Sequence, residues 1–279
     1  LKDYDLGVVL IKKSDGATLY ATRDLAAAID RYKKYKFDKM FYEVGEEQKL
    51  YFQQIFKVLE LMNYSFAKNC KHIPHGLYLD SDGKKFATRK GKTVFMEDIF
   101  NETKNLAEKE LISRQEKEKL SKSELGKKAI AIARAAILYG DLKNYRENNM
   151  IFDIDRFVSF EGDTGPYLMY SYARASSILR KSKKSFKKFE ASELEEKEKE
   201  LVTKLSQFPD VVENSYKSLN PSLIANYSYQ LAQIFNEFYH TCKVLGSEQE
   251  NFRLALVESF RQVLKNSLGL LGIETLEKM

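Results

Sequence analysis

Residues 40–79, MFYEVGEEQKLYFQQIFKVLELMNYSFAKNCKHIPHGLYL, read as strand, helix, strand, and that order decides the fold class of the first part of the chain. Met40 to Val44 is a short apolar run closed by Gly45, the signature of a strand and its end. From Glu46 to Tyr64, the residues Leu50, Phe52, Ile55, Phe56, Leu59 and Met62 recur at three-to-four-residue spacing, which predicts an amphipathic helix. Ile73 to Leu79 reads as the next strand. Upstream, Val8 to Lys12 is another apolar run, ended by Ser14-Asp15-Gly16, and a helix through Ala26, Ala27, Ala28 and Ile29 follows it. Strands alternating with helices predict a parallel sheet with crossover helices, whose ligands bind beyond the carboxyl ends of the strands.

After about residue 100 the strand signals fade. Gly126 to Leu142 is Ala-rich and apolar, and Pro166 stands just before a helix running from Leu168 to about Lys181. Ser222 to Leu245 carries Leu223, Tyr227, Leu231, Ile234, Phe238 and Cys242 on one face, and Phe252 to Leu271 repeats the pattern with Leu256, Phe260, Leu264 and Leu271. This half predicts a helix bundle. The expected boundary falls between Asn101 and Leu120, where Lys and Glu crowd the sequence, giving domains 1–118 and 119–279.

Composition agrees with a helix-rich chain of two domains. The 279 residues are 43% hydrophobic and 31% charged, with 13 Gly and 4 Pro, unlike a sandwich, a barrel or a collagenous sequence. Cys70 and Cys242 are far apart and form no CxxC pair, so neither a disulfide framework nor a metal site is expected, and a reducing cytoplasm fits. No charge-free apolar run approaches the roughly 20 residues of a membrane span, and residues 1–10 lack the features of a signal peptide. A soluble protein with no membrane partner is expected. The net charge of +6 is compatible with a polyanionic partner without identifying one. The densest basic run, Arg180 through Lys188, is followed by the acidic stretch from Glu190 to Glu200 and reads as a solvated helix end and loop.

Two features carry chemistry. Tyr20 and Asp24 are one helical turn apart, so a helix beginning between them lets a phenol and a carboxylate face one cavity, and Gln48 follows the next strand on the same rim. A carboxylate with neutral acceptors nearby suits a guanidinium, which offers five donors and favours bidentate partners. From spacing alone the more ordinary reading is Asp24 as a helix cap and Tyr20 as a core residue. The second feature is the loop Asp82–Lys92, with five cations and two glycines in eleven residues. Such a loop can close over polyphosphate or stand as a mobile basic hairpin, and it matches neither a Walker A nor a GxGxxG pattern.

Four strings, LYATRDLAAAIDRY (19–32), VGEEQKLYFQQIFKVLELMNY (44–64), HGLYLDSDGKKFATRKGKTVFMEDI (75–99) and DTGPYLMYSYARASSILRK (163–181), are in order and spacing similar to successive blocks of the arginyl-tRNA synthetase family. The resemblance covers nearly the whole chain, weakest between Arg180 and Pro209. It extends to Leu276-Glu277-Lys278-Met279, so a natural C-terminus is expected, whereas Leu1 falls inside the family's catalytic domain. The implied fold is α/β plus all-α: the C-terminal half of a class I Rossmann-like catalytic domain, then a helical, DALR-type anticodon-binding domain. The implied activity is ligation of L-arginine to tRNA(Arg) with ATP, accompanied by Mg2+, in a cytoplasmic monomer.

The resemblance also implies residue roles. Tyr20, Asp24 and Gln48 match positions holding the arginine side chain, with Asp24 the specificity carboxylate. The stretch Lys85 to Gly91 matches a degenerate KMSKS loop that contacts ATP phosphates; Thr88 occupies its second lysine position, leaving Lys85, Arg89 and Lys90 as the catalytic charges. His75, Gly76 and Leu77, with Gly91, match the ATP site. Tyr167, Tyr170 and Arg174 fall in the anticodon-domain block, and Tyr239 and Met279 match other positions on the tRNA-binding surface. Taken from helical spacing alone, those tyrosines, among 17 in the chain, read more readily as core. The family's HIGH-type motif is missing, because the histidines of this sequence are His72, His75 and His240. The chain alone is therefore expected to be inactive. An alternative is a non-catalytic tRNA- or RNA-binding protein derived from such an enzyme, against which the retained Tyr20, Asp24 and Gln48 argue, since a buried carboxylate without a ligand is costly.

Overall fold

The computed structural model describes residues 1–79, 83–84, 95–113, 120–151, 157–182 and 193–279. They form two compact units, Leu1–Tyr78 with Arg146–Asn149, and Leu79–Tyr145 with Met150–Met279.

In the first unit, strands β1 (Met40–Gly45) and β2 (Cys70–His75) pair in parallel, in register from Met40 with Cys70 to Gly45 with His75. Helix α2 (Lys49–Leu61) makes the crossover between them, and α1 (Tyr20–Tyr35) packs beside α2. The core is Ala21, Leu25 and Ala28 of α1 against Ile55 and Leu59 of α2, closed by Phe66, Ala67 and Cys70. Tyr32 stacks on Phe66 at 4.5 Å, and Phe37 meets both rings edge-on. Leu50 and Met62, expected on the buried face of α2, are half exposed. At 3.6 residues per turn Leu50 points about 160° away from Phe52, and Met62 lies past the last helical residue.

Val8 to Lys12 does not form the expected strand. Val8 and Leu10 are exposed while Val9 and Ile11 pack against the core, and the segment's one β pairing among the described residues is an isolated antiparallel bridge between Lys12 and Thr18 across a tight turn. That turn needs Gly16, whose φ is +85°. An apolar β-branched run becomes a strand only when a neighbour offers a ladder, and among the described residues none does so here. Beyond the turn, α1 begins at Tyr20, with Leu19 at the cap position donating its N–H to Thr22 Oγ1 at 3.4 Å. Asp24 is thus one turn inside the helix and does not cap it.

The second unit is helical: α3 (Met96–Ser113), α4 (Lys122–Leu142), α5 (Gly165–Lys181), α6 (Glu196–Ser206), α7 (Phe208–Ser218), α8 (Ser222–Thr241) and α9 (Glu250–Leu270). Helix α4 opens on a capping box, in which Ser121 Oγ accepts from the Glu124 N–H and Glu124 Oε2 accepts from the Ser121 N–H. Its alanines Ala129, Ala131, Ala135 and Ala136 allow close helix contacts in a core that also contains Leu168, Met169, Leu231, Phe235 and Phe260. The rings of Phe235 and Phe260 stack at 3.7 Å, joining α8 to α9. The expected boundary at 118/119 lies outside the described residues; the division into units falls between Tyr78 and Leu79, because α3 buries Ala107 and Leu111 in the helical core.

Helix α6 is tied to α9 through charge. Glu198, fully buried, accepts from Arg253 Nε at 2.8 Å, and Arg253 Nη1 donates to the Lys243 carbonyl at 2.8 Å. Glu195 Oε1 accepts from Nη2 of the same guanidinium. Removing one member of a buried ion pair strands the other, so Glu198→Leu should lower the stability of the helical unit by about 3 kcal/mol. Adding Arg253→Met should recover most of that loss, both changes being measured by urea denaturation followed by helical circular dichroism; a double variant as unstable as Glu198→Leu would show that packing, not charge, sets the loss.

Candidate functional site

Tyr20 and Asp24 sit one turn apart at the start of α1. Tyr20 is 80% exposed, which excludes it from the core, and Asp24 is half-buried. Tyr51, on the first turn of α2, donates its hydroxyl to Asp24 Oδ2. Burial, and next the bond to Asp24, push the Tyr51 phenol above its ordinary range, so it remains a donor at neutral pH. Behind this pair, burial and then the neighbouring Cys70 push Tyr42 of β1 up to about 12. Gln48 lies exposed in the 3-10 turn Glu46–Gln48 that follows β1 and leads into α2, three residues before Tyr51. Sequence reasoning missed Tyr51, although its position one turn after Gln48 places both on one helical edge.

At the end of β2, the backbone donors of the next two residues are engaged. The Gly76 N–H donates to the Arg146 carbonyl at 2.7 Å, and the Leu77 N–H donates to Asn149 Oδ1 at 2.8 Å. A Cβ on residue 76 would lie 2.2 Å from the Asn148 carbonyl oxygen, so glycine is required by the close approach of the 146–149 segment. His75 Nδ1 lies 2.8 Å from the Gly76 carbonyl, which requires that nitrogen to carry the proton. Segment 146–149 was not singled out from the sequence, being some seventy residues away. Lys85, Thr88, Arg89, Lys90 and Gly91 lie outside the described residues.

The third group is built by the string Asp163-Thr164-Gly165-Pro166. Thr164 caps α5, its Oγ1 accepting from the Tyr167 N–H at 3.2 Å, and Pro166 occupies the first turn, where no intrahelical donor is lost. Asp163 accepts from the Tyr139 hydroxyl at 2.6 Å and pairs with Lys143 at 3.2 Å, fixing the helix start to α4. From this start, Tyr170 and Arg174 project one turn apart into a groove of about 830 Å3, where Tyr239 of α8 and Met279 of the C-terminal tail join them. The Arg174 guanidinium carbon stands 5.0 Å from the Tyr170 ring centre and 5.5 Å from that of Tyr239. Arg180, Lys181, Lys243 and Lys278 line the same groove, so the basic helix end read as merely solvated also faces it.

Tyr167 differs from its expected partners. It does not line the groove; its hydroxyl accepts from Asn236 Nδ2 at 2.8 Å and its ring meets Tyr229 edge-on at 5.7 Å. The tail is held by Glu277, which accepts from the Tyr172 hydroxyl at 2.7 Å and lies 3.8 and 3.6 Å from Arg180 and Arg261. Arg180 also donates to the Glu277 carbonyl at 2.7 Å. What this geometry offers is a stacked cation flanked by two exposed phenols in a basic groove, an arrangement suited to unpaired bases and phosphates.

Residues 3–154 match the family described as tRNA synthetases class I (R), catalytic domain, and residues 168–279 match the DALR anticodon binding domain. An arginine–tRNA ligase of Clostridium perfringens (strain 13 / Type A) is 44% identical over 285 residues, covering 100% of this chain and 50% of that protein. The solved arginyl-tRNA synthetase of Plasmodium falciparum superposes with a TM-score of 0.82 at 27% identity, over 96% of this chain and 46% of that one. The arginyl-tRNA synthetase of Thermus thermophilus superposes with a TM-score of 0.84 at 23% identity, over 97% and 51%, a likeness of fold. The chain spans about half the length of the curated relatives it matches.

The tail contact has a pH dependence. Partial burial opposes it, but the Tyr172 hydrogen bond and the nearby Arg261 and Arg180 guanidiniums hold the Glu277 carboxyl below its ordinary range. A depressed folded value means the docking energy is present above the unfolded glutamate value, about 4.3, and is lost as pH falls through the folded one. The Met279 methyl resonance should move to its random-coil position only as pH falls below the ordinary glutamate range, and Glu277→Gln should weaken docking at neutral pH. A resonance that stays shifted in both cases would show that the tail is held by packing alone.

Proposed function

The chain belongs to the class I arginyl-tRNA synthetase family, and on that premise we propose that it is part of an enzyme ligating L-arginine to tRNA(Arg), with conversion of ATP to AMP and pyrophosphate. The expected fold class, a class I catalytic segment followed by a DALR-type helical domain, is borne out by the two family matches. In the proposed reaction, the arginine carboxylate attacks the α-phosphorus of ATP, pyrophosphate leaves, and the acyl group passes to the tRNA 3′ end. ATP enters with Mg2+ as part of the substrate. A cytoplasmic monomer is the proposed working state.

The observation that carries this reading is the half-buried Asp24 carboxylate, oriented by Tyr51 and open beside the exposed Tyr20. A planar cation with five donors fits a fixed carboxylate flanked by neutral oxygens better than a flexible ammonium does. Tyr20 and Gln48 supply those neutral groups in the proposal. Lys85, Arg89 and Lys90 offset charge on the phosphates in the proposal, Thr88 offers a hydroxyl beside them, and His75, Gly76, Leu77 and Gly91 border the nucleotide. Tyr170, Arg174, Tyr239 and Met279 form the proposed tRNA surface, with Tyr167 behind it.

In the full-length enzyme, Asp24→Asn should reduce kcat/KM for arginine on the order of a hundredfold while leaving tRNA affinity within about twofold, because shape persists but charge-assisted pairing is lost. A loss of tRNA binding with arginine use intact would overturn the assignment. The 279-residue chain alone, having no HIGH-type motif, should give no arginine-dependent ATP–pyrophosphate exchange. Measurable exchange would mean that phosphate handling resides entirely in these residues.

A further inference from the structure

Behind Arg174, which lines the groove beside α5, stands an amide whose orientation is determined by its partners. Asn236 of α8 faces three residues of one α5 face: Arg174 Nη1 donates to its Oδ1 at 2.5 Å, and its Nδ2 donates to Tyr167 OH at 2.8 Å and to Ser171 Oγ at 3.1 Å. A guanidinium only donates, so the amide oxygen must be the atom facing Arg174. Ser171, fully buried, gives its own hydroxyl proton to the Tyr167 carbonyl at 3.0 Å, so it can only accept from Asn236. Reversing the amide would therefore break the bonds to Arg174 and Ser171, leaving only Tyr167, whose hydroxyl can donate as well as accept.

We propose that Asn236 is a positioning residue for nucleic-acid binding: it fixes the Arg174 guanidinium between the Tyr170 and Tyr239 rings with its remaining donors turned to the groove. This rests on the reading of that groove as a tRNA surface. Arginine side chains are long and free to rotate, and ordering one only when RNA arrives weakens binding. Here one N–H is committed to a neutral acceptor and the plane is flanked by two rings at 5.0 and 5.5 Å, so the order exists beforehand. Because Asn236 carries no charge, the pairing leaves the full positive charge of Arg174 available to a phosphate or a base edge, which an aspartate there would not.

The test uses the 279-residue chain and a fluorescent anticodon stem–loop of tRNA(Arg), with binding measured at several fixed salt concentrations. Asn236→Leu, of similar volume, should weaken binding roughly tenfold with an unchanged melting temperature, and Asn236→Ser, too short to reach Arg174, should do the same if the leucine variant folds poorly. Arg174→Ala should weaken binding more and flatten the salt dependence. The decisive measurement is the double variant: if Asn236 acts through Arg174, Asn236→Leu in the Arg174→Ala background costs less than about twofold further. A full tenfold penalty persisting in that background would assign Asn236 a general packing role, and unchanged binding in the single variants would remove it from recognition; either overturns the proposal. Absence of binding by the unsubstituted chain would instead overturn the reading of the groove itself, and this inference with it.

Discussion

The helical unit depends on one close approach of two backbones. Gly165, the first residue of α5, lies where a Cβ would stand 2.2 Å from the Ala135 carbonyl oxygen of α4. Contact of that kind demands glycine on one helix and small residues on the other, and α4 supplies alanines along the same face. One turn further on, Tyr139 reaches Asp163, and burial, followed by that hydrogen bond, pushes its phenol well above the ordinary range. Lys143 closes the arrangement by donating to the Asp163 carbonyl at 2.6 Å. Each residue of Asp163-Thr164-Gly165-Pro166 therefore has a separate physical duty, and together they set the origin and direction of α5. Once these are set, the positions of Tyr170 and Arg174 relative to α8 follow from helical geometry alone.

What the groove can do follows from how its charges are presented. The net charge of +6 is spread over the whole chain and says nothing by itself about location. The folded unit gathers Arg174, Arg180, Lys181, Lys243 and Lys278 about two phenols with roughly two-fifths of their surface exposed. Stacking on such rings contributes on the order of 1–3 kcal/mol per base and does not discriminate strongly among bases. On the proposed reading of the groove as a tRNA surface, discrimination would come from groups whose directions are fixed, among them Arg174, bonded to Asn236, and the tail anchored by Glu277.

The sequence reveals long, repetitive elements and hides those whose buried side chains are small or polar. Helices α4, α5, α8 and α9 were legible because their apolar stripes run for several turns. Helix α3 buries Thr103, Ala107 and Leu111, and α6 buries Glu198 and Leu201, so neither shows a stripe that periodicity can detect. The run Val8–Lys12 has strand composition, yet pairing depends on a neighbour that local composition does not encode. At the candidate sites the same division holds. The spacing of Tyr20 and Asp24 could be read directly, while the hydrogen bond from Tyr51 spans 27 residues and that between Asn236 and Tyr167 spans 69. Partners brought together by tertiary packing leave no spacing to read.

The two candidate sites share a design principle despite opposite charge. In the first unit a carboxylate is held by a phenol, and in the second a guanidinium is held by an amide. A charged partner would orient each group more strongly, but it would also cancel the field that a ligand needs to feel. A neutral hydrogen-bond partner restricts rotation while leaving the charge whole. Tyr51 can serve this way because burial and the adjacent carboxylate keep its proton in place, so the pair retains the charge of the carboxylate. Asn236 serves because its amide has no proton to lose near neutral pH. The cation proposed for the first site and the polyanion proposed for the second would then each meet a group already aimed and not yet neutralised, and the free energy of neutralisation is released on binding, where it contributes to affinity, and not during folding.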